Sequence, residues 1–350
     1  MIDVGLVGFG LGGRCFHAPV IQAVEGLRLA AVVQRTGEEA KKLYPDARIV
    51  RSLDELLDIE TIPLVVISTP NQTHFPFAMR CLEAGRDVVV GKPFTNTVAE
   101  AAELVRTAKK LGRVLTVYHD RRFDADFQAL RKLAASGEFG KIVRFEAHYD
   151  RYRPKPKPGA WREIPGPGNG ILADLGPHMV DYALTLLGTP ERITASVRIE
   201  RPGFVTDDAF DIWMHYAGNQ MAVLSASMLS VWPRSRFVVL GTKASYLKKR
   251  FDPLESELRV RVPAPGESWM LEKPEHFGEV ISEVDGKIEH RKVASFGDWR
   301  EFYANVRDCL LGKAELLVTP EQALNVMIAM ELARKSSDER RSVEWKSVEL

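Results

Sequence analysis

The stretch "GLVGFGLGGRCFH" (5–17) sets Gly8, Gly10 and Gly13 as G-x-G-x-x-G directly behind an apolar run. Glycine weakens strand and helix interiors, so this density marks a backbone that something must approach closely. "IDVGLVG" ahead of it reads as a buried strand, and the pattern from about Leu11 to Val24 reads as a helix. In a strand–turn–helix context each glycine has a role. The first permits the tight turn, the second lets a pyrophosphate reach the backbone, and the third lets helix pack on strand. The anion then meets free N–H groups and the positive end of the helix dipole. The stretch therefore predicts a dinucleotide site.

Working outward, "LRLAAVVQ" (27–34), "PLVVIST" (63–69), "DVVV" (87–90) and "RVLTVY" (113–118) are further β-rich runs, and helical patterns lie between them at "GEEAKKLY", "SLDELLD", 73–84 and 97–111. Ser52 and Glu55 have the spacing of a capping box. Continuously apolar strands alternating with helices predict a doubly wound parallel sheet, an α/β Rossmann domain over residues 1–120. After about residue 120 the rhythm changes. A helical pattern and a basic, proline-rich loop ("RYRPKPKPG", 151–159) precede strand-like stretches at 141–149, 190–200, 207–216, 220–230 and 235–241, with a hairpin signal at "YAGNQM". Strands without intervening helices predict an α+β domain over 121–350 with an antiparallel sheet. Helices near 297–311 and 320–335 close the chain, Thr319 capping the second with Pro320 in its first turn.

Of 350 residues, 45% are hydrophobic and 27% charged, which suits two globular domains. The net charge of +1 gives no electrostatic case for nucleic acid or an anionic membrane as partner. No apolar run approaches the roughly 18 residues that cross a bilayer, and no basic leader precedes the first strand. Cys15, Cys81 and Cys309 are far apart and read as reduced thiols, so a cytoplasmic location is expected.

The end of the second strand bears on which dinucleotide is held. A carboxylate there accepts the hydrogen bond of a ribose 2′-hydroxyl and repels a 2′-phosphate. "VVQRTGE" places Arg35 and Thr36 in that region, and a guanidinium pairs with phosphate through charge-assisted hydrogen bonds. NADP(H) is expected. If Arg35 stacks on adenine or faces solvent, NAD is usable as well.

"STPNQTHFPFAMRCLEAGRDVVVGKPFT" (68–95), "YHDRRFD" (118–124), "GNGILADLGPHMVDYALTLLG" (168–188) and the glycine fingerprint, taken together, resemble the glucose–fructose oxidoreductase / inositol dehydrogenase / MocA (Gfo/Idh/MocA) family. "FHAP" (16–19), "HDRRFD" and "FGDWREFY" (296–303) are similar to its branch of NADP-linked scyllo-inositol dehydrogenases. The resemblance implies a Rossmann domain and an α+β domain with a large open sheet through which members associate, so a homodimer or homotetramer is expected. It implies hydride transfer between a nicotinamide and a cyclic polyol or sugar. Another carbonyl or dihydrodiol substrate, or a non-catalytic dinucleotide-binding regulator, stands as the alternative.

By the same resemblance, Lys92 falls on the lysine of the family's E-K-P motif, with Gly91 replacing the glutamate, and Lys92–Pro93 is a candidate cis peptide. Asp174 and His178 occupy the D-x-x-x-H positions. Lys92, Asp174 and His178 are thus the expected catalytic group: His178 takes the hydroxyl proton, Lys92 holds the same oxygen and Asp174 a neighbouring hydroxyl. Read without the family, Asp174 is a good N-cap, Pro177 sits in the first turn, and Gly188 ends the helix. No third ligand joins Asp174 and His178, so no metal is expected. The resemblance adds cofactor contacts from Pro70, Asn71 and His74 and from Trp161 and Arg162. It puts Tyr118, His119 and Arg122 on the nicotinamide or substrate side, with the role of Asp120 unassigned where family members often carry Asn. His17 is either a substrate-facing or a packing residue.

Overall fold

The computed structural model describes residues 1–156, 163–264, 267–269 and 272–350. The first strands are β1 (Ile2–Val7), β2 (Leu27–Val33) and β3 (Arg48–Val50), with α1 (Ala18–Gln22), α2 (Glu39–Leu43) and α3 (Leu53–Leu57) between and after them. β4 (Leu64–Ile67), α4 (His74–Glu83), β5 (Asp87–Val90), α5 (Val98–Leu111) and β6 (Leu115–Val117) complete this half. All six strands are parallel in the order β3-β2-β1-β4-β5-β6. The order reverses between β1 and β4. That is the switch point at whose carboxyl-end crevice such sheets bind ligands.

Apolar strands explain the doubly covered sheet. Leu64, Val65, Val66 and Ile67 are all fully buried, half facing the helices α3, α4 and α5 and half facing α1. Ser52 caps α3 by accepting from the Glu55 N–H (3.2 Å), but the reciprocal half of the expected box is displaced by one residue. Glu55 Oε2 accepts from Arg51 N instead (3.0 Å). The helical segment behind Gly10 contains a π-helical turn over Gly13–His17 ahead of α1.

The second half starts with α6 (Ala125–Ala135), β7 (Ile142–Asp150), α7 (Ile171–Leu187), β8 (Arg192–Arg198), β9 (Ala209–His215), β10 (Met221–Ser227) and β11 (Phe237–Gly241). It continues through β12 (Ala244–Lys248), α8 (Leu254–Leu258), β13 (Gly278–Val284), β14 (Lys287–Val293), α9 (Arg300–Leu310), α10 (Pro320–Glu339) and β15 (Val343–Glu344). A nine-stranded sheet runs β14-β13-β12-β11-β7-β10-β9-β8-β15, antiparallel except for the β7–β10 pair. One face of it packs on α6, α7 and α10 around Phe127, Phe145, Tyr182, Phe210 and Phe237.

The closing helices return to the first sheet. α9 sends Phe302, Tyr303 and Val306 into the core beside α1. α10 shares Leu324 and Ile328 with the α5 side and Val326, Ala329 and Ala333 with the α7 side. The segments behind β5 and β6 are thereby held beside the first turns of α7. Thr319 closes a full capping box with Gln322 at the start of α10. No helix of the described residues is long and apolar enough to cross a membrane.

Candidate active site

The loop after β1 has the shape that its glycines predict. Gly8 sits at φ +101°, where a Cβ would fall 2.4 Å from the Ser68 carbonyl oxygen beyond β4. A Cβ on Gly13 would fall 2.1 Å from the Gly8 oxygen, so helix and strand touch backbone to backbone. A Cβ on Gly10 would meet no heavy atom within 4 Å beyond its own chain neighbours, which leaves open space in front of the chain. Two glycines make the turn and one keeps it accessible, and the loop fits a diphosphate against its amides.

At the end of β2, Arg35 and Thr36 are exposed, and the Arg35 guanidinium has no partner among the described residues. The segment that carries them is fixed from behind. Arg51 donates to the Gln34 and Gly37 carbonyls (2.9 and 2.8 Å) and pairs with Glu38, while Gln34 donates to Glu39. The two nearby carboxylates are therefore engaged, and a cation is left to face outward.

Beyond β4, Pro70 precedes a short turn over Asn71–Thr73. Asn71 Nδ2 donates to the Gly168 carbonyl (2.7 Å), tying this loop to the approach of α7. His74 is buried with Nδ1 2.8 Å from the Pro93 oxygen and Nε2 3.0 Å from the Thr69 oxygen. Those polar ends are committed to protein carbonyls, so Asn71 and His74 shape the loop walls. The Lys92–Pro93 peptide is cis.

Lys92 emerges behind β5, and its Nζ donates to the Asp174 carbonyl oxygen (2.5 Å) and to Asp174 Oδ1 (2.9 Å). His178 lies one helical turn further along α7 and is buried. The three expected catalytic residues thus come together from both halves of the chain. Gly91 does not disturb them: a Cβ there would lie 3.1 Å from the Ile67 oxygen and 3.6 Å from the His74 ring.

The start of α7 corrects the sequence reading. The helix begins at Ile171, so Asp174 lies inside its first turn and Pro177 in its interior. The cap comes from a distant residue: Leu172 N donates to Asp207 Oδ2 (2.7 Å), and Ile171 N to the Asp207 carbonyl (2.8 Å). Asp207 caps the end of the helix, and the Asp174 carboxylate meets Lys92. Gly188, at φ +77°, ends the helix as expected.

Tyr118, His17 and Arg122 each have their polar groups engaged within the protein. Tyr118 is buried in an aromatic cluster with His17, Phe302 and Tyr303, and its hydroxyl donates to the Phe16 carbonyl (2.9 Å), so its polar end is committed to the protein. His17 bonds Tyr303 Oη through Nδ1 (2.6 Å), and burial pushes its pKa down to about 3; it is a packing histidine. Arg122 is a strut: it pairs with Asp181 and donates to the Leu317 carbonyl and to Gln322 Oε1 (2.8 and 2.7 Å), linking the segment after β6 to α7 and α10. Trp161 and Arg162 lie outside the described residues.

The segment behind β6 supplies the rest of the electrostatics. His119 is buried with neither ring nitrogen hydrogen-bonded, and burial pushes its pKa down to about 4 against the pull of Asp181. Asp120, whose role was unassigned, is buried with Oδ1 3.8 Å from His178 Nδ1. Burial pushes its carboxyl up to about 6, with Arg121 and Lys92 opposing and Asp124 adding to the rise. Burial, then Lys92, Arg121, His119 and Arg236, hold His178 well below the usual imidazole range. The imidazole is therefore neutral at working pH, the state in which it can accept a proton. Among the described residues no group of three or more His, Cys, Asp or Glu side chains is placed to hold a metal ion.

Residues 2–119 match the family described as "Oxidoreductase family, NAD-binding Rossmann fold", and residues 127–247 match "GFO/IDH/MocA C-terminal domain". The chain belongs to the Gfo/Idh/MocA oxidoreductase family. It is similar along its length to the uncharacterized oxidoreductase YdgJ of Escherichia coli K12, at 39% identity over 98% of each chain. It is 34% identical to the scyllo-inositol 2-dehydrogenase (NADP(+)) IolW of Bacillus subtilis, over 98% of this chain and 95% of that one. The solved structure of yvaA from Bacillus subtilis superposes with a TM-score of 0.94 at 32% identity, covering 99% of this chain and 98% of the other. The first half of the chain is thus the Rossmann domain of an NAD(P)-binding oxidoreductase, the loop after β1 is the candidate nucleotide site, and the Lys92, Asp174 and His178 group is the candidate reaction site.

Proposed function

We propose that this Gfo/Idh/MocA member is an NADP(H)-preferring dehydrogenase acting on a CH–OH group of a cyclic polyol or sugar, scyllo-inositol being the first substrate to test. The observation that carries the reading is the Lys92–Asp174 pair with His178 one turn further on the same helix, at the carboxyl end of the sheet that holds the glycine loop. An ammonium, a carboxylate and a neutral imidazole are the groups needed to grip vicinal hydroxyls and to move one proton. A bound nicotinamide supplies the hydride acceptor or donor.

Each residue has a defined part. Lys92 Nζ donates to the reacting oxygen and stabilises negative charge as the proton leaves. Asp174 holds Lys92 in place and offers its remaining acceptor capacity to an adjacent hydroxyl. His178 takes the hydroxyl proton on Nε2 in oxidation and returns it in reduction. Gly8, Gly10 and Gly13 bind the diphosphate, and Arg35 with Thr36 receives the 2′-phosphate. The identity of IolW supports both the substrate class and the nucleotide. We extend the reading to a homo-oligomer formed through the open face of the nine-stranded sheet and to a reducing, cytoplasmic location, the latter motivated by three free cysteines.

The test is the change in reduced-nicotinamide absorbance with a panel of inositols and aldoses, using NADP⁺ and NAD⁺ side by side. Turnover with an inositol or sugar and a higher kcat/KM for NADP⁺ is expected. Turnover of dihydrodiols alone, or none with any hydroxyl substrate, would replace this reading.

A further inference from the structure

His178 Nδ1 is buried and has no hydrogen-bond partner, an arrangement that normally costs free energy unless it serves the site. The groups that face the imidazole come from four places. Lys92 stands behind β5; His119, Asp120 and Arg121 stand behind β6; Arg236 precedes β11; Asp174 is on the same helix. Three of these are fixed cations, and the carboxylate of Asp174 is turned to Lys92. An imidazole in such company resists protonation, yet the proposed chemistry requires it to accept a proton. An anion beside the ring can offset that cost, and Asp120 Oδ1 lies 3.8 Å from Nδ1.

Resting on the activity proposed above, we infer that Asp120 is the positioning residue of His178. Its carboxylate accepts the Nδ1–H, fixes the tautomer that turns an unprotonated Nε2 to the substrate, and stabilises the imidazolium while it exists. The O–H electron pair stays on the substrate oxygen, the proton ends on Nε2, and the Nδ1–H stays between the ring and Asp120. Which nitrogen of a histidine carries the proton is set by the partner of the other one. The separation is about 0.8–0.9 Å longer than the usual N–H···O hydrogen bond, and catalytic contacts that are long without substrate often tighten when it binds. The neighbours leave Asp120 available: Arg121 is engaged by Asp124 (3.2 Å) and Glu255, and Arg236 by Asp124 (3.6 Å) and Asp126 (3.7 Å). Because burial pushes the Asp120 carboxyl up to about 6, it is half charged near that pH, and its negative charge grows above it and fades below it. Oxidation should therefore fail on the acid side as the pH falls through this range.

The experiment is ¹⁵N NMR of the histidine rings in the full-length protein, with His178→Gln to assign the signal. The wild type should show the Nδ1–H tautomer at pH 8. In Asp120→Asn that preference should be lost. With substrate, kcat for oxidation should fall about 10²-fold with KM nearly unchanged, and the acid limb near pH 6 should disappear. Asp120→Glu should restore part of both. An Nε2–H tautomer in the wild type overturns the inference even if Asp120→Asn does not fold, and so does an unchanged Nδ1–H preference in a folded Asp120→Asn. The ring spectra need neither nucleotide nor substrate, so a failure of the proposed activity is distinguishable from a failure of this pairing.

Discussion

The glycine loop after β1 and the first turns of α7 both build the site, yet they obey different rules. In the loop each residue answers to atoms a few positions away or on the adjacent strand: Gly13 touches the Gly8 oxygen, and Gly8 touches Ser68. In α7 the decisive partners are remote. Asp207 caps the helix, Lys92 holds Asp174, and Asp120 faces His178. The loop is a backbone device and the helix is a meeting point. The first tolerates no side chains where chains touch, whereas the second tolerates many changes in shape but few in charge.

The largest effect should come from the meeting point. His178→Ala removes the proton acceptor and should lower kcat by about 10²–10⁴-fold while NADP(H) binding, read by fluorescence titration, stays near the wild-type value. Wild-type turnover in the folded variant would mean that the helix contributes shape alone.

The loop should respond in the opposite way. Gly13→Ala forces a Cβ to within 2.1 Å of a backbone oxygen, so strand and helix must part. Overpacking of this kind costs about 1–3 kcal/mol, and nucleotide binding should be lost with it. Gly10→Ala meets nothing within 4 Å, so its melting midpoint should match the wild type while nucleotide affinity falls. Equal thermal destabilisation of both variants would erase the distinction between the closing glycine and the open one.

Between these, Arg35→Ala should weaken NADP⁺ by about tenfold or more, the range of a lost charge-assisted hydrogen bond, and leave NAD⁺ nearly unaffected. Parallel KM measurements with the two nucleotides check it. An equal loss for both would place the guanidinium on the adenine instead of the 2′-phosphate.

The same contrast explains what the sequence made legible. Strand–helix alternation, the glycine turn and the β9–β10 hairpin are local patterns, and all appear as expected. β14 left no such mark, because "KIEHRKV" is exposed at nearly every position and its charges suit an edge strand, not a buried one. Lys92, Asp174 and His178 were legible only through their resemblance to a family, since no spacing rule joins a residue behind β5 to one on α7. Asp120 was visible in "HDRRFD", but its approach to His178 depends on how two halves of the chain dock. Tyr118 misled for the same reason: its neighbours in sequence line the crevice, and its own side chain turns to Phe16.

The smallest effect separates capping from chemistry inside α7. Asp207→Ala removes the acceptor of the Leu172 N–H and leaves Arg334, half-exposed, without its partner. Loss of an N-terminal cap costs about 1 kcal/mol, so the melting midpoint should drop by about 2–4 °C. Asp174→Asn keeps an oxygen for Lys92 and leaves the Asp207 cap in place, so its midpoint should move less than that of Asp207→Ala. Its turnover should nevertheless fall, because a neutral amide no longer sets the charge beside Lys92. Thermal melts and rates measured on both variants decide the matter. If Asp174→Asn loses the stability and Asp207→Ala the turnover, the local reading of Asp174 as the cap would be right after all, and the long-range account of this helix would have to be given up.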